Sequence, residues 1–217
     1  MATELTASDR STVRRHADRA SYERAQADAI LDEGLVAHVG IAVDGHPYVI
    51  PMVYGRDGDR LLLHGSVASR LMRGLAAGLP VCVTVTLVDG LVLARSAFHH
   101  SMNYRSVVVH GTARRIDDPD AAAAALERFV DHLLPGRSAE VRGPSRVEVR
   151  QTAVLEVPID EASVKVRTGG PVDDADDLDL PVWAGVVPLS VAVGPPVPAD
   201  GLADGIEVSG SVRAWSR

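Results

Sequence analysis

The chain has one cysteine, one lysine and few aromatic side chains, and each shortage excludes something. A single thiol, Cys82, rules out a disulfide within the chain and a metal cage built from several cysteines. It sits in Val81-Cys-Val-Thr-Val-Thr-Leu87, an apolar run that reads as a strand carrying a buried small hydrophobe. Lys165 is the only lysine, no Lys/Arg run occurs, and the formal net charge is −7. Affinity for nucleic acid or an anionic membrane surface is therefore not expected. No stretch approaches the length of a membrane span, and the first twenty residues lack the apolar core of a signal peptide. A cytoplasmic setting is the expectation.

What remains is an ordinary globular composition in 217 residues, 46% apolar and 24% charged. The apolar residues are dominated by Val, Ala and Leu, and Val favours strands because its branched side chain packs well on a pleated surface. Residues 1–20 are polar and read as an extended or poorly ordered arm. Ser21 is placed to cap a helix over Tyr22–Asp32, with Gly34 as its stop. Leu35–Val43 alternates with a period of two, which argues for a strand. Asp44-Gly45 is a hairpin signal, and His46–Tyr54 supplies the return strand. Asp57-Gly58 marks another turn before Arg60–His64, so these three strands read as an antiparallel meander.

A short helix follows, with Ser66 as N-cap, Val67, Leu71 and Leu75 at helical spacing, and Gly78 as the stop. Pro80–Val88 reads as a strand, Asp89-Gly90 as a turn, and Leu91–Ala97 and Tyr104–Thr112 as two further strands. Asp118 with Pro119 starts a helix whose stripe is Leu126, Phe129, Val130 and Leu133, ended by Pro135-Gly136. Thr152–Val157 and Ala162–Arg167 form a last strand pair or one bent strand. From Gly169 the chain turns acidic and proline-rich, apart from the apolar patch Pro181–Pro188. The organisation expected is an arm (1–20), a main domain (21–168) and an extension (169–217) lying on the surface or against a partner subunit. About six or seven antiparallel strands with two or three helices make a β-rich α+β domain, and closing the sheet into a barrel protects its edges.

Three segments carry polar groups beyond what turns require. In Leu62-Leu-His-Gly-Ser-Val-Ala-Ser-Arg70 a strand runs into a helix start, where free N–H groups, serine hydroxyls and an arginine make a phosphate site. Simple capping by Ser66 with a solvated Arg70 accounts for the same residues. His99-His100-Ser101-Met102-Asn103-Tyr104-Arg105 is a dense polar loop between apolar strands. A metal reading of its histidines fails, because neighbouring strand residues point to opposite faces and no carboxylate or cysteine completes a ligand spacing. In Val49-Ile-Pro-Met-Val-Tyr54 the proline marks an edge or a bulge, where a planar ligand can approach the backbone. Gly-rich nucleotide loops, a GxSxG elbow and an HExxH helix are all missing, so P-loop and hydrolase readings lack support.

The series Pro51-Met-Val-Tyr54, His64-Gly-Ser-x-x-Ser-Arg70, Leu87-Val-Asp-Gly-Leu-Val-Leu-Ala-Arg95 and Ser101-Met-Asn-Tyr-Arg-Ser-Val107 resembles the pyridoxamine 5′-phosphate oxidase-like superfamily. Within it, the chain looks most like the flavin-nucleotide-binding branch that includes the nitroimidazole reductases (Nim proteins). The resemblance covers roughly residues 12–168. It implies a split β-barrel homodimer with FMN at the subunit interface, F420 or haem being the alternatives for that groove. It further implies that Val49, Ile50, Pro51, Met52, Val53 and Tyr54 lie against the flavin ring. Gly65, Ser66, Ser69 and Arg70 would hold the phosphate, and Tyr104, Arg105 and Ser106 would reach from the partner. The oxidases carry Lys where this chain has Leu71 and Gln where it has Ser106, and their C-terminal substrate motif is missing. These departures point away from vitamin B6 oxidation. In the Nim-like branch a histidine near the flavin is linked to nitro-group reduction, and His64 matches it; His99 and His100 are further candidates for proton delivery. The function implied is an FMN-dependent oxidoreductase acting on a small nitroaromatic or quinone-type substrate, with a non-catalytic flavin-storage protein as the alternative.

Overall fold

The computed structural model describes residues 3–215, so two residues of the expected arm and two of the extension lie outside it. In chain order the first half comprises β1 (Ala20–Ser21), α1 (Arg24–Glu33), β2 (Val36–Val43), β3 (His46–Val53), β4 (Gly55–Asp57), β5 (Arg60–Ser66) and α2 (Arg70–Ala76). The second half comprises β6 (Pro80–Leu93), β7 (Ser101–Thr112), β8 (Arg114–Arg115), α3 (Pro119–Leu133), α4 (Arg146–Gln151), β9 (Thr152–Pro158), β10 (Glu161–Arg167), β11 (Gly185–Pro188) and α5 (Gly210–Ala214).

The strands build two antiparallel sheets. The larger has the order β1-β10-β7-β6-β2-β3, with β11 added along β6; the smaller has the order β4-β5-β9-β8. Alternation decides which side chains meet between them. Ala37, Val39 and Ile41 of β2 and Val81, Val83 and Val85 of β6 face Leu61 and Leu63 of β5 and Leu155 and Val157 of β9 in one core. Each large side chain so enclosed stabilises the fold by about 1.5–3 kcal/mol relative to exposure. Helix α3 covers the back of the smaller sheet, with Phe129, Ala122 and Ala125 on Leu62 and Val154 in a second, smaller core.

Several expected elements form as read. Asp44 and Gly45 both take positive φ (52° and 77°), the geometry of a tight two-residue hairpin turn. Asp118 caps α3 through Ala121 N–H at 2.7 Å, with Pro119 leading the helix. Four readings need correction. Ser21 belongs to β1, and α1 begins at Arg24 after Glu23. The expected meander breaks after β3, because β5 pairs with β9 rather than β3 and the chain changes sheets at Tyr54. Asp89-Gly90 is a bulge inside one long strand rather than a turn, since β7 pairs with β6 on either side of it and β11 pairs with β6 from Gly90 to Leu93. Strands β9 and β10 do not pair with each other but join different sheets.

Chain ends are tied to this frame. Leu5 enters the core, and Glu161 accepts hydrogen bonds from Ser8 and Arg10, which lays the arm along β10. The extension is fixed where Asp173 pairs with Arg95 at 2.7 Å, where β11 pairs with β6, and where Ser211 N–H reaches Glu140 at 2.8 Å.

The sheet change rests on Tyr54, which is fully enclosed and donates its hydroxyl to Leu31 O at 2.5 Å. Gly34 packs so closely beside it that a Cβ there would lie 2.7 Å from the Tyr54 hydroxyl and 2.4 Å from Val85. Tyr54→Phe strands the Leu31 carbonyl and is expected to cost about 1–3 kcal/mol. Urea denaturation measures this directly, and an unchanged midpoint would show that water replaces the hydroxyl.

Candidate functional site

The residues expected to form a phosphate site meet at the junction of β5 and α2. Ser66 ends β5, its Oγ accepting from Ala68 N–H and its carbonyl from Ser69 N–H. Val67 N–H is bonded to Gln151 O at the end of α4, in the turn that precedes the helix. It starts three residues later than the expected cap allows: Ser69, not Ser66, is the N-cap and accepts from Met72 N–H. Gly65 lies close to Met72, where an added Cβ would stand 3.0 Å from Met72 Cγ and the methionine would have to shift. Arg70 opens the helix, with its guanidinium carbon 5.8 Å from the centroid of the Tyr48 ring. That contact joins two segments the resemblance placed at one site, β3 and the Ser69-Arg70 pair.

Strand β3 is the edge of the larger sheet, paired only with β2. Pro51 sits in it as an edge proline should, exposed together with Val49 (64%) and Ile50 (42%). Its outer edge thus offers backbone groups and apolar surface to a flat ligand. Met52 and Val53 are half-buried. Tyr54 is not part of this surface, since it lies wholly in the core with its hydroxyl on Leu31.

His64 points away from Arg70's neighbour Leu71, through the opposite face of β5, towards α3. Its ring meets Phe129 edge-on at 4.3 Å. It lines an apolar cleft of about 530 Å³ with Val53, Leu126, Phe129 and Val141, rimmed by the Arg142–Glu148 ion pair at 2.8 Å. Its enclosed Nδ1 has no hydrogen-bond partner among the described residues. Burial disfavours the imidazolium, so His64 stays neutral below the usual histidine range. Nothing in the sequence announced the other wall of this cleft, the 138–152 segment with α4.

The β7 residues lie elsewhere. Within the sheet β7 is separated from β3 by β6 and β2, roughly 14 Å at three strand spacings. Arg105 is clasped by Asp89 (2.8 Å) and Glu33, which occupies its donors. Tyr104 and Ser106 face the other side of the strand, and Ser106 Oγ donates to Lys165 O at 3.2 Å. Arg105 instead walls a second cleft of about 870 Å³, with His38, His132, Leu189, Val191 and Trp215. His99 and His100 sit at the tip of the β6–β7 hairpin, where His99 Nε2 meets Asp174 at 3.1 Å and His100 Nδ1 donates to Ser96 O at 2.9 Å. From Thr84, where β2 pairs, to Leu93 the hairpin extends roughly 30 Å, so within one chain neither histidine joins His64 or Arg70. Among the described residues no group of three or more His, Cys, Asp or Glu side chains is arranged to hold a metal ion, and no helix is long and apolar enough to cross a membrane.

The buried His64 makes a signed prediction. Its folded-state pKa lies below the unfolded value of about 6.5, so the unfolded chain takes up this proton first. Stability therefore falls as pH drops through about 6.5 and levels off below the folded pKa. Comparing wild type with His64→Phe by denaturation across pH 4–8 isolates this contribution. An NMR titration placing His64 at or above the ordinary value would refute it.

Comparison with known proteins follows this geometry. The family described as pyridoxamine 5′-phosphate oxidase matches residues 23–166. No curated protein matches the chain. Among solved structures, the flavocytochrome Anf3 from Azotobacter vinelandii is 42% identical, covering 95% of this chain and 96% of its own, with a TM-score of 0.89. An FAD- and haem-binding protein from Mycobacterium smegmatis is 40% identical over 91% of this chain and 97% of its own, with a TM-score of 0.88. A protein described as a candidate 5-nitroimidazole antibiotic resistance protein from Bacteroides thetaiotaomicron is 27% identical over 68% of this chain and 86% of its own, with a TM-score of 0.58. The match to the family and the full-length likenesses agree with the split barrel seen here, and the chain belongs to the pyridoxamine 5′-phosphate oxidase family.

Proposed function

We propose that this chain binds a flavin nucleotide and a haem and serves as an oxidoreductase, working as a homodimer. The observation that carries this reading is the reach of the likeness. The extension from Gly169 spans 49 residues, whereas the match to the FAD- and haem-binding protein leaves only about 20 residues of this chain uncovered. Most of the extension is therefore shared with a protein named for both cofactors. The Nim-type likeness covers 68% of the chain.

The residues fit both groups. For the flavin, the unpaired edge of β3 at 49–53 offers backbone to the ring, and Arg70 beside Ser66 and Ser69 offers charge and hydroxyls to a phosphate. For the haem, the apolar cleft at Phe129 encloses a neutral imidazole, His64, whose Nδ1 is unpartnered. A neutral histidine in an apolar pocket is the usual haem-iron ligand. When bound, the flavin supplies electron-pair or single-electron transfer and the haem single-electron transfer. The chain's own part is to bind, to orient and to keep water away: Phe129 and Val53 exclude water around His64, and Arg70 fixes the flavin's polar end. A second copy of the chain brings Tyr104 and Ser106 to the flavin, which one chain holds too far from β3. Arg105 is a clamp between α1 and β6 rather than a cofactor ligand.

FAD is favoured over the FMN expected from sequence by the likeness to the FAD- and haem-binding protein. A Nim-type reductase of small nitroaromatics or quinones is the second reading, favoured by His64 in the matching place on β5. Absorption spectra and chromatography of the released cofactor test these together. The expected result is a flavin spectrum with a Soret band, the band lost in His64→Ala while the flavin stays. Arg70→Ala should weaken flavin binding about ten- to a hundredfold and leave the Soret band in place. Flavin without haem, oxidised by a nitroimidazole after reduction, would favour the Nim-type reading. A flavin that no donor reduces would favour storage. Protein that takes up neither cofactor refutes the proposal.

A further inference from the structure

We infer that Tyr48 is a positioning residue that holds Arg70 ready for an anion and so sets the preference for a phosphorylated flavin over riboflavin. This rests on the flavin site proposed at β3 and α2. Several arginines around the barrel are tied to carboxylates: Arg24 to Asp28, Arg56 to Asp32, Arg60 to Asp57 and Arg105 to Glu33 and Asp89. Arg70 makes no ion pair or hydrogen bond with any described residue, and its guanidinium lies over the face of Tyr48.

The difference has a physical consequence. A carboxylate partner cancels an arginine's charge and occupies its N–H donors. An aromatic face attracts the guanidinium within about 6 Å yet leaves those donors free. Tyr48 therefore restricts a long side chain without neutralising it. Ordering that side chain beforehand removes part of the entropy that phosphate binding otherwise costs. Tyr48 is also free to serve in this way. It lies on the edge strand opposite Ile41 and is 37% exposed, so the core does not depend on it.

The test is equilibrium binding of FMN, FAD and riboflavin to full-length protein freed of bound flavin, in wild type, Tyr48→Phe, Tyr48→Leu and Arg70→Ala. Tyr48→Leu should weaken FMN and FAD about 3- to 30-fold and leave riboflavin unchanged, with Tyr48→Phe close to wild type. An equal loss for all three flavins would mean the ring packs against the flavin itself, and no loss for any would mean the stack is idle; either overturns the inference. Should Arg70→Ala fail to separate FMN from riboflavin, the flavin site itself is misplaced and the inference falls with it. If Arg70→Ala separates them and Tyr48→Leu does not, only the role of Tyr48 is lost.

Discussion

Everything at the candidate site depends on the chain changing sheets at Tyr54. Had the chain continued as a meander, β5 would lie beside β3 and bury the edge that now faces outward. Instead the enclosed Tyr54 side chain, bonded to the end of α1 and pressed against Gly34, turns the chain into the smaller sheet. His132 of α3 reinforces the corner, its ring 4.7 Å from that of Tyr54 and its Nε2 donating to Gly34 O at 2.9 Å. One corner therefore joins α1, α3 and both sheets. It leaves β3 as a free edge and brings the β5–α2 junction to face it.

The same corner explains why His64 and Arg70, only six positions apart, have different surroundings. Side chains alternate along β5, so Leu61 and Leu63 enter the main core while Leu62 and His64 point to α3. The chain must then pass Ser66–Ser69 before α2 can begin, which carries Arg70 round to the β3 side. Val53 at the end of β3 lines the His64 cleft, while Tyr48 meets Arg70. A single edge strand thus borders both places.

Local signals in the sequence were reliable where one turn or cap decided the structure. Asp44-Gly45 and Asp118-Pro119 needed no distant partner, and both behave as read. Signals failed where a distant strand intervened. Asp89-Gly90 has turn chemistry, but β11 from the far end of the chain lies against it, and a Cβ at Gly90 would stand 3.0 Å from Val187 O. There the missing side chain admits a neighbouring backbone rather than a turn. Ser66 and Ser69 are equally good caps in sequence, and the chain uses Ser69, while Val67 N–H in the preceding turn is bonded to the distant Gln151 O. The site residues followed the same rule. The resemblance put β3, His64 and Arg70 forward as expectations, whereas the burial of Tyr54, the clasp on Arg105 and the approach of Arg70 to Tyr48 were not legible, because each depends on a contact between distant segments.

The extension is largely exposed but is anchored to the barrel at a few points. Its run of aspartates reads as a solvated surface, yet the side chain of Asp173 is nearly enclosed and bonds both the backbone and the guanidinium of Arg95. Arg167 holds the first residues of the extension through the carbonyls of Gly169 and Gly170 and is itself buried against Asn103. From these anchors the chain lays β11 on β6 and then carries Leu189, Val191 and Trp215 to the wall of the larger cleft. A barrel without such an extension would leave Arg105 and His38 open to solvent on that side. With it, the same strands border a cleft of about 870 Å³. The acidic residues matter for where they anchor the chain, and the apolar residues between them matter for what they enclose.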